Sequence, residues 1–115
     1  WIKVRGNVEQ SGRSPESPRI LIENGVLTAF STDHPVIAIQ NMRLQATNAV
    51  EEGVSVEEAL KAMTINSALI MGIDKRVGSL EKGKDADLVI LSGPPFAGGS
   101  KVEAVVVNGV VAWKR

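Results

Sequence analysis

Residues 31–35, with the sequence Ser-Thr-Asp-His-Pro, contain the side chains of this chain best suited to chemistry. They directly follow the run 25–30, whose Gly-Val-Leu-Thr-Ala-Phe pattern predicts a strand that is apolar on both faces, as in parallel sheets. Active sites of α/β barrels lie at the exits of such strands. At that position the Asp33 carboxylate could ligate a metal, take a proton from a water and return it to a leaving nitrogen.

Each of the two polar residues also has a structural alternative. Asp33 could simply turn the chain or cap the following helix, as Asp commonly does ahead of a proline. His34 is the only histidine, and a lone imidazole is more often a hydrogen-bonded structural residue than a ligand. Its functional alternative is contact with substrate or with the surroundings of the metal ligand, and no metal ligation is predicted for it.

Further along, residues 78–91 read GSLEKGKDADLVIL and follow a short helical segment that opens with Asn66-Ser67-Ala68. Together with residues 31–35, this pattern resembles the C-terminal end of the metal-dependent amidohydrolases, in the imidazolonepropionase-like branch. The resemblance covers about residues 18–115. It implies an α/β fold: the C-terminal end of a (β/α)8 barrel, followed by the C-terminal strands of the small β-sandwich domain.

The resemblance also implies a function. Asp33 corresponds to the aspartate after the last barrel strand, which ligates the metal and transfers the proton, and no other site residue is carried over. The complete enzyme would hold a divalent metal, for which zinc is the first candidate. It would hydrolyse a small-molecule substrate at a non-peptide C–N bond, such as a cyclic amide or an amidine-like ring.

The family's His-x-His pair and its further histidines have no counterpart in this chain. Because zinc takes about four ligands, the isolated chain is expected to hold no metal and to be inactive. Two alternatives stay open: a non-catalytic scaffold relative of these enzymes, and an independent small α+β binding domain.

The pattern divides the chain into three parts. Residues 1–17 predict a loop or poorly ordered segment, residues 18–75 the last barrel strand with its helices, and residues 76–115 the sandwich strands. Four helices are predicted. The first covers 18–23, and the second covers 39–53 and ends at Gly53. The third begins with a capping box formed by Ser55 and Glu58, and the fourth begins with an Asn66 cap and ends at Gly72.

Strands are predicted over 86–91, 102–107 and 110–113, with Asn108-Gly109 as a two-residue hairpin turn between the last two. Gly83 is expected in a tight turn, and Asp85 and Asp87 are expected to bond local backbone. Strands that should pair with residues outside this chain would expose unpaired backbone and apolar faces. We therefore expect a homo-oligomer or a strand-swapped form.

Composition excludes several classes of partner. Thirteen basic and thirteen acidic residues balance to a net charge of zero, which provides no field for nucleic acid. No apolar stretch approaches the roughly 20 residues of a membrane helix, so no membrane partner is expected and a cytoplasmic location is predicted. The absence of cysteine excludes disulfides and thiolate metal sites. A tryptophan at position 1 suggests a fragment of a longer polypeptide.

Overall fold

A computed structural model of the chain describes residues 14–115. Helices come first in this part of the chain and a small antiparallel sheet follows. The elements are α1 (Ser17–Glu23), a 3-10 turn (Ile39–Asn41), α2 (Met42–Glu51), α3 (Val56–Met63), α4 (Ile65–Met71), β1 (Leu88–Leu91), β2 (Val102–Val107) and β3 (Val110–Lys114). None of the helices within residues 14–115 has the length and apolar character to cross a bilayer. The α/β class is confirmed.

Local signals account for α1 and α2. Pro18 lies in the first turn of α1, where its missing N–H costs no hydrogen bond. The helix starts at Ser17, one residue before its predicted start, and the predicted loop 1–17 otherwise lies mainly outside the described residues. The predicted helix over 39–53 is present as the 3-10 turn followed by α2, and Gly53 follows it with φ +99°.

The caps of α3 and α4 differ from the predictions. The Ser55 hydroxyl accepts from the Glu58 backbone N–H at 3.1 Å, which is one half of a capping box. The Glu58 carboxylate accepts instead from Lys61 at 2.9 Å. The predicted Asn66 cap is wrong, because α4 begins at Ile65 with Thr64 as its N-cap. The stop at Gly72 is confirmed, since this residue has φ +70° at the end of α4.

Small side chains let the helices approach one another closely. Ala46 of α2, Ala59 of α3 and Ala62 of α3 are completely buried. One core cluster consists of Ala49, Val54 and Ala59, against which four partly buried side chains pack: Ile22, Phe30, Val50 and Phe96. Within residues 14–115 no large side chain is completely buried, so this core is thin.

The sheet is an antiparallel meander in the order β1-β2-β3. Asn108 and Gly109 have φ +50° and +76°, as the two central residues of a type I′ turn require, so the predicted hairpin is confirmed. Asp87, the residue before β1, bonds the backbone of the hairpin turn: its carboxylate accepts from the Asn108 N–H at 2.7 Å. Asp85 bonds local backbone through its main chain, since its N–H donates to the Arg76 carbonyl at 2.8 Å. Its carboxylate accepts from the Arg76 guanidinium at 2.7 Å.

The predicted strand over 26–30 is absent. Residues 26–30 have no regular secondary structure and belong to no ladder. A strand needs at least one neighbouring strand to bond with, and the sheet of residues 14–115 is antiparallel and formed only by β1, β2 and β3. The backbone of this segment is instead hydrogen-bonded to α3 and α4.

Candidate functional site: the Asp33 loop

Asp33 lies in a tight loop after the segment 26–30. Its φ of +51° is left-handed, a conformation that Asp and Asn tolerate better than other side chains. The Asp33 N–H donates to the Ser31 hydroxyl at 3.2 Å, and the Asp33 carbonyl accepts from the Val36 N–H at 2.8 Å. The residue is exposed. Its backbone therefore closes the turn while its carboxylate faces outward.

The capping alternative for Asp33 does not hold. The helices that follow have Ala38 and Asn41 as N-caps, and neither start has a side-chain cap bond. The turn alternative describes the Asp33 backbone, but it leaves the carboxylate unassigned. That carboxylate is consequently available for a ligand.

The segment that precedes the loop is hydrogen-bonded to α3 and α4. The Asn66 side-chain amide donates to the Thr28 carbonyl at 3.0 Å, and the Phe30 N–H donates to the Ala62 carbonyl at 3.3 Å. Ser67 donates its hydroxyl to the same Ala62 carbonyl at 2.9 Å. Thr32, next to Asp33, is only 4% exposed. The segment that leads to Asp33 is thus held at Thr28 and at Phe30, and its last residue before Asp33 is buried.

His34 is exposed beside Asp33. In the part of the chain that the structure describes, no three His, Asp or Glu side chains come together as a metal site would require. The donor set therefore fits a divalent metal only in part. Asp33 offers one carboxylate of a chemistry that such ions accept, and about three further ligands would have to come from other residues.

A separate apolar cavity of about 780 Å³ lies between the α3–α4 pair and the sheet. Its walls include Leu60, Met63, Met71, Phe96 and Val105. Arg43 also borders it and donates Nη2 to the Ser100 carbonyl at 2.8 Å. Asp33 and His34 do not line this cavity. It is consequently a surface suited to apolar packing and distinct from the Asp33 loop.

The contact between Asn66 and Thr28 is the feature of this region that the sequence did not predict. Asn66 was interpretable as a helix cap, because Asn is common at that place. A side-chain bond that spans 38 residues of sequence leaves no local signal.

The described residues thus combine an exposed carboxylate, on a loop whose preceding segment is bonded to α3 and α4, with a small antiparallel sheet. The model of the "Amidohydrolase family" matches residues 8–112, and the chain belongs to that family. The resemblance to the imidazolonepropionase branch is confirmed.

Three similar proteins show the extent of the match. The imidazolonepropionase of Clostridium tetani is 35% identical over 106 residues, which are 84% of this chain and 25% of that protein. The structure of an amidohydrolase from Thermotoga maritima matches with a TM-score of 0.91 and 42% identity, over 97% of this chain and 29% of that one. The structure of a Xaa-Pro dipeptidase with bound methionine in its active site matches with a TM-score of 0.76 and 29% identity, over 88% and 25%. The chain thus spans between a quarter and a third of the length of these proteins.

Proposed function

We propose that this chain is the C-terminal part of a metal-dependent hydrolase that cleaves a non-peptide C–N bond, such as a cyclic amide or an amidine-like ring. One observation carries the proposal: Asp33 is exposed on a loop fixed by α3 and α4, in a chain that matches the amidohydrolase family almost throughout. The 35% identity to a protein named imidazolonepropionase supports a cyclic substrate.

The proposed role of Asp33 follows from the balance of the reaction. Hydrolysis joins the oxygen of water to the carbonyl or amidine carbon and breaks the bond from that carbon to nitrogen. The Asp33 carboxylate takes the proton that the attacking water loses and gives it to the departing nitrogen. A divalent metal, zinc first, supplies water activation and carbonyl polarisation when bound, and Asp33 would be one of its ligands. His34 would contact substrate or lie beside the ligand.

The architecture of the complete protein is part of the same proposal. Residues 18–75 would end a (β/α)8 barrel, and residues 76–115 would contribute the C-terminal strands of a small β-sandwich. On this arrangement the remaining metal ligands belong to polypeptide outside residues 1–115. The isolated chain would then be inactive, and a cytoplasmic location stays a prediction.

The test compares Asp33→Asn with Asp74→Asn in the complete polypeptide that contains this chain. Both changes remove one carboxylate with little change of shape, but Asp74 lies in the turn after α4. With imidazolonepropionate as substrate, Asp33→Asn should lower kcat at least about 10³-fold, because it removes both a ligand and the proton carrier. Asp74→Asn should leave kcat unchanged. Full activity of Asp33→Asn would contradict the proposal.

A second candidate is hydrolysis of a dipeptide. The match to a Xaa-Pro dipeptidase structure favours it, at 29% identity over 88% of this chain. Xaa-Pro dipeptides therefore belong in the same assay, and turnover of these alone would replace the cyclic substrate. The scaffold alternative predicts no turnover of either substrate and no His-x-His pair in the complete polypeptide.

A further inference from the structure

The segment that leads to Asp33 is held by a reciprocal pair of hydrogen bonds. Asn66 donates its side-chain N–H to the Thr28 carbonyl, and two residues later Phe30 donates its backbone N–H to the Ala62 carbonyl. One donor comes from the helices and the other comes from the segment. Two attachment points fix the direction of a chain as well as its position.

Two features make the Asn66 bond important for this segment. Within residues 14–115 the segment 26–30 has no strand partner, and the Thr28 carbonyl and the Phe30 N–H are satisfied by α4 and α3 instead. In addition, the two ends of the segment are held elsewhere: Val26 donates its N–H to the Leu21 carbonyl at 3.0 Å, and Phe30 packs against the core cluster. Asn66 holds the middle of the segment, so loss of its bond would let the Thr28 peptide shift between these two points.

We propose that Asn66 is a positioning residue: its amide aligns residues 28–30 and thereby sets where the Asp33 loop presents its carboxylate. This inference rests on the proposed function of Asp33. Ser31 continues the same path, since its hydroxyl accepts from the Asp33 N–H at 3.2 Å. The alignment runs from α4 through the segment to the turn that contains the carboxylate.

Asn66→Asp is the sharpest test of this role. It keeps the shape of the side chain but places a carboxylate, which has no N–H, against a carbonyl oxygen. It should not weaken the helix, because an acidic residue in the first turn interacts favourably with the helix dipole. Asn41→Asp is the matched control, since Asn41 is exposed at the start of α2 and its side chain makes no cap bond.

The first readout is amide hydrogen exchange of the 115-residue chain. In Asn66→Asp the Phe30 N–H should exchange at least about tenfold faster than in the unaltered chain, and Asn41→Asp should leave it unchanged. If Asn66→Asp does not fold, the unaltered chain decides: the side-chain N–H protons of Asn66 should exchange about tenfold more slowly than those of Asn41. Equal exchange in either comparison overturns the inference.

The second readout is kinetic and uses the complete polypeptide with imidazolonepropionate and Xaa-Pro dipeptides. A misplaced ligand typically costs 10- to 100-fold, so Asn66→Asp should lower kcat by about that factor with KM within about threefold. If Asp33→Asn lowers kcat and Asn66→Asp does not, the positioning role of Asn66 is wrong and the proposed function of Asp33 stands. Full activity of Asp33→Asn, or no turnover of either probe, removes the proposed function, and hydrogen exchange then decides whether Asn66 aligns the segment.

Discussion

The backbone of Gly78 lies so close to α4 that a Cβ at this position would be 2.8 Å from the Cβ of Ala68. The same Cβ would be 3.0 Å from the Cα of Ile65, and Gly78 has φ +96°. Gly78 therefore requires glycine for two independent reasons, its left-handed backbone and its contact with the helix. This contact joins the segment before the sheet to the helices.

Gly78→Ala should accordingly destabilise the chain by about 2–4 kcal/mol, because two costs add. The backbone is strained at positive φ, and the new methyl group overlaps the Ala68 Cβ and the Ile65 Cα, neither of which can rotate away. Gly83→Ala is the matched control, because Gly83 has the same φ of +96° with nothing within 4 Å of its would-be Cβ. It should cost only the backbone strain, about 1–2 kcal/mol. Chemical denaturation of both variants measures the difference, and equal losses would show that the contact with Ala68 contributes nothing.

Ser55→Ala should cost about 1 kcal/mol, because it leaves the Glu58 N–H at the start of α3 without its acceptor. Glu58→Ala should cost less than about 0.5 kcal/mol, because the Glu58 side chain does not return to the backbone of Ser55 and instead accepts from half-exposed Lys61. Urea denaturation of the two variants measures both values. Similar losses would mean that the second half of the capping box forms in solution.

Local signals predicted the fold well wherever a single residue type decides the backbone. Asn108-Gly109 specifies its turn through two positive φ values, and Gly72 ends α4 through another. The strand predicted over 26–30 was wrong, because the apolar composition of this segment does not determine what it packs against. A strand and an extended segment packed on helices have the same local sequence, and only the availability of a sheet separates them.

The candidate site was predictable in part for a related reason. Asp33 could be placed because its carboxylate chemistry and its position after an apolar run are visible in the sequence, and the family match agrees with the pattern. The bond from Asn66 to Thr28 could not be predicted, because the two residues are 38 positions apart and the acceptor is a backbone carbonyl, which has no side-chain signature. Positions fixed by long-range bonds to backbone require the structure.

Acid should weaken the fold through two exposed carboxylates. Lys61 donates to Glu57 at 2.7 Å and holds the pKa of that carboxyl below its ordinary value of 4.5. The pKa of Glu81 is lowered first by the hydrogen bond from the Ser79 hydroxyl and then by the charge of Lys84. A carboxyl with a lowered pKa in the folded state contributes stability above about pH 4.5, and this contribution is lost as the pH falls through the folded pKa.

The free energy of unfolding should therefore fall below about pH 4.5, and Glu57→Gln should make that fall shallower. Lys61→Met should act in the same direction, because it removes the partner and leaves the carboxylate. Both effects should be small and should shrink in about 1 M salt, since the pair is exposed. Thermal unfolding between about pH 3 and 6 measures the slope, and identical slopes in all three proteins would exclude this contribution.

The sheet should make this chain self-associate in isolation. Val89, Val105 and Trp113 face one another across the three strands, and Val89 and Trp113 remain 56% and 48% exposed. Among the described residues β1 and β3 are also edge strands with one unpaired side each. An apolar row on a sheet with open edges is a surface that pairs with another copy, and a net charge of zero does not oppose this.

Val89→Glu tests this expectation against Val36→Glu. Val36 is 75% exposed in the loop before α2, so the control adds the same charge away from the sheet. Light scattering after size exclusion, over a range of concentrations, should show an oligomer for the unaltered chain and for Val36→Glu. Val89→Glu should shift the distribution toward the monomer, because a buried glutamate would lose its hydration at the contact. A strictly monomeric unaltered chain would show instead that the thin helical core and the three strands suffice alone, as an independent binding domain requires.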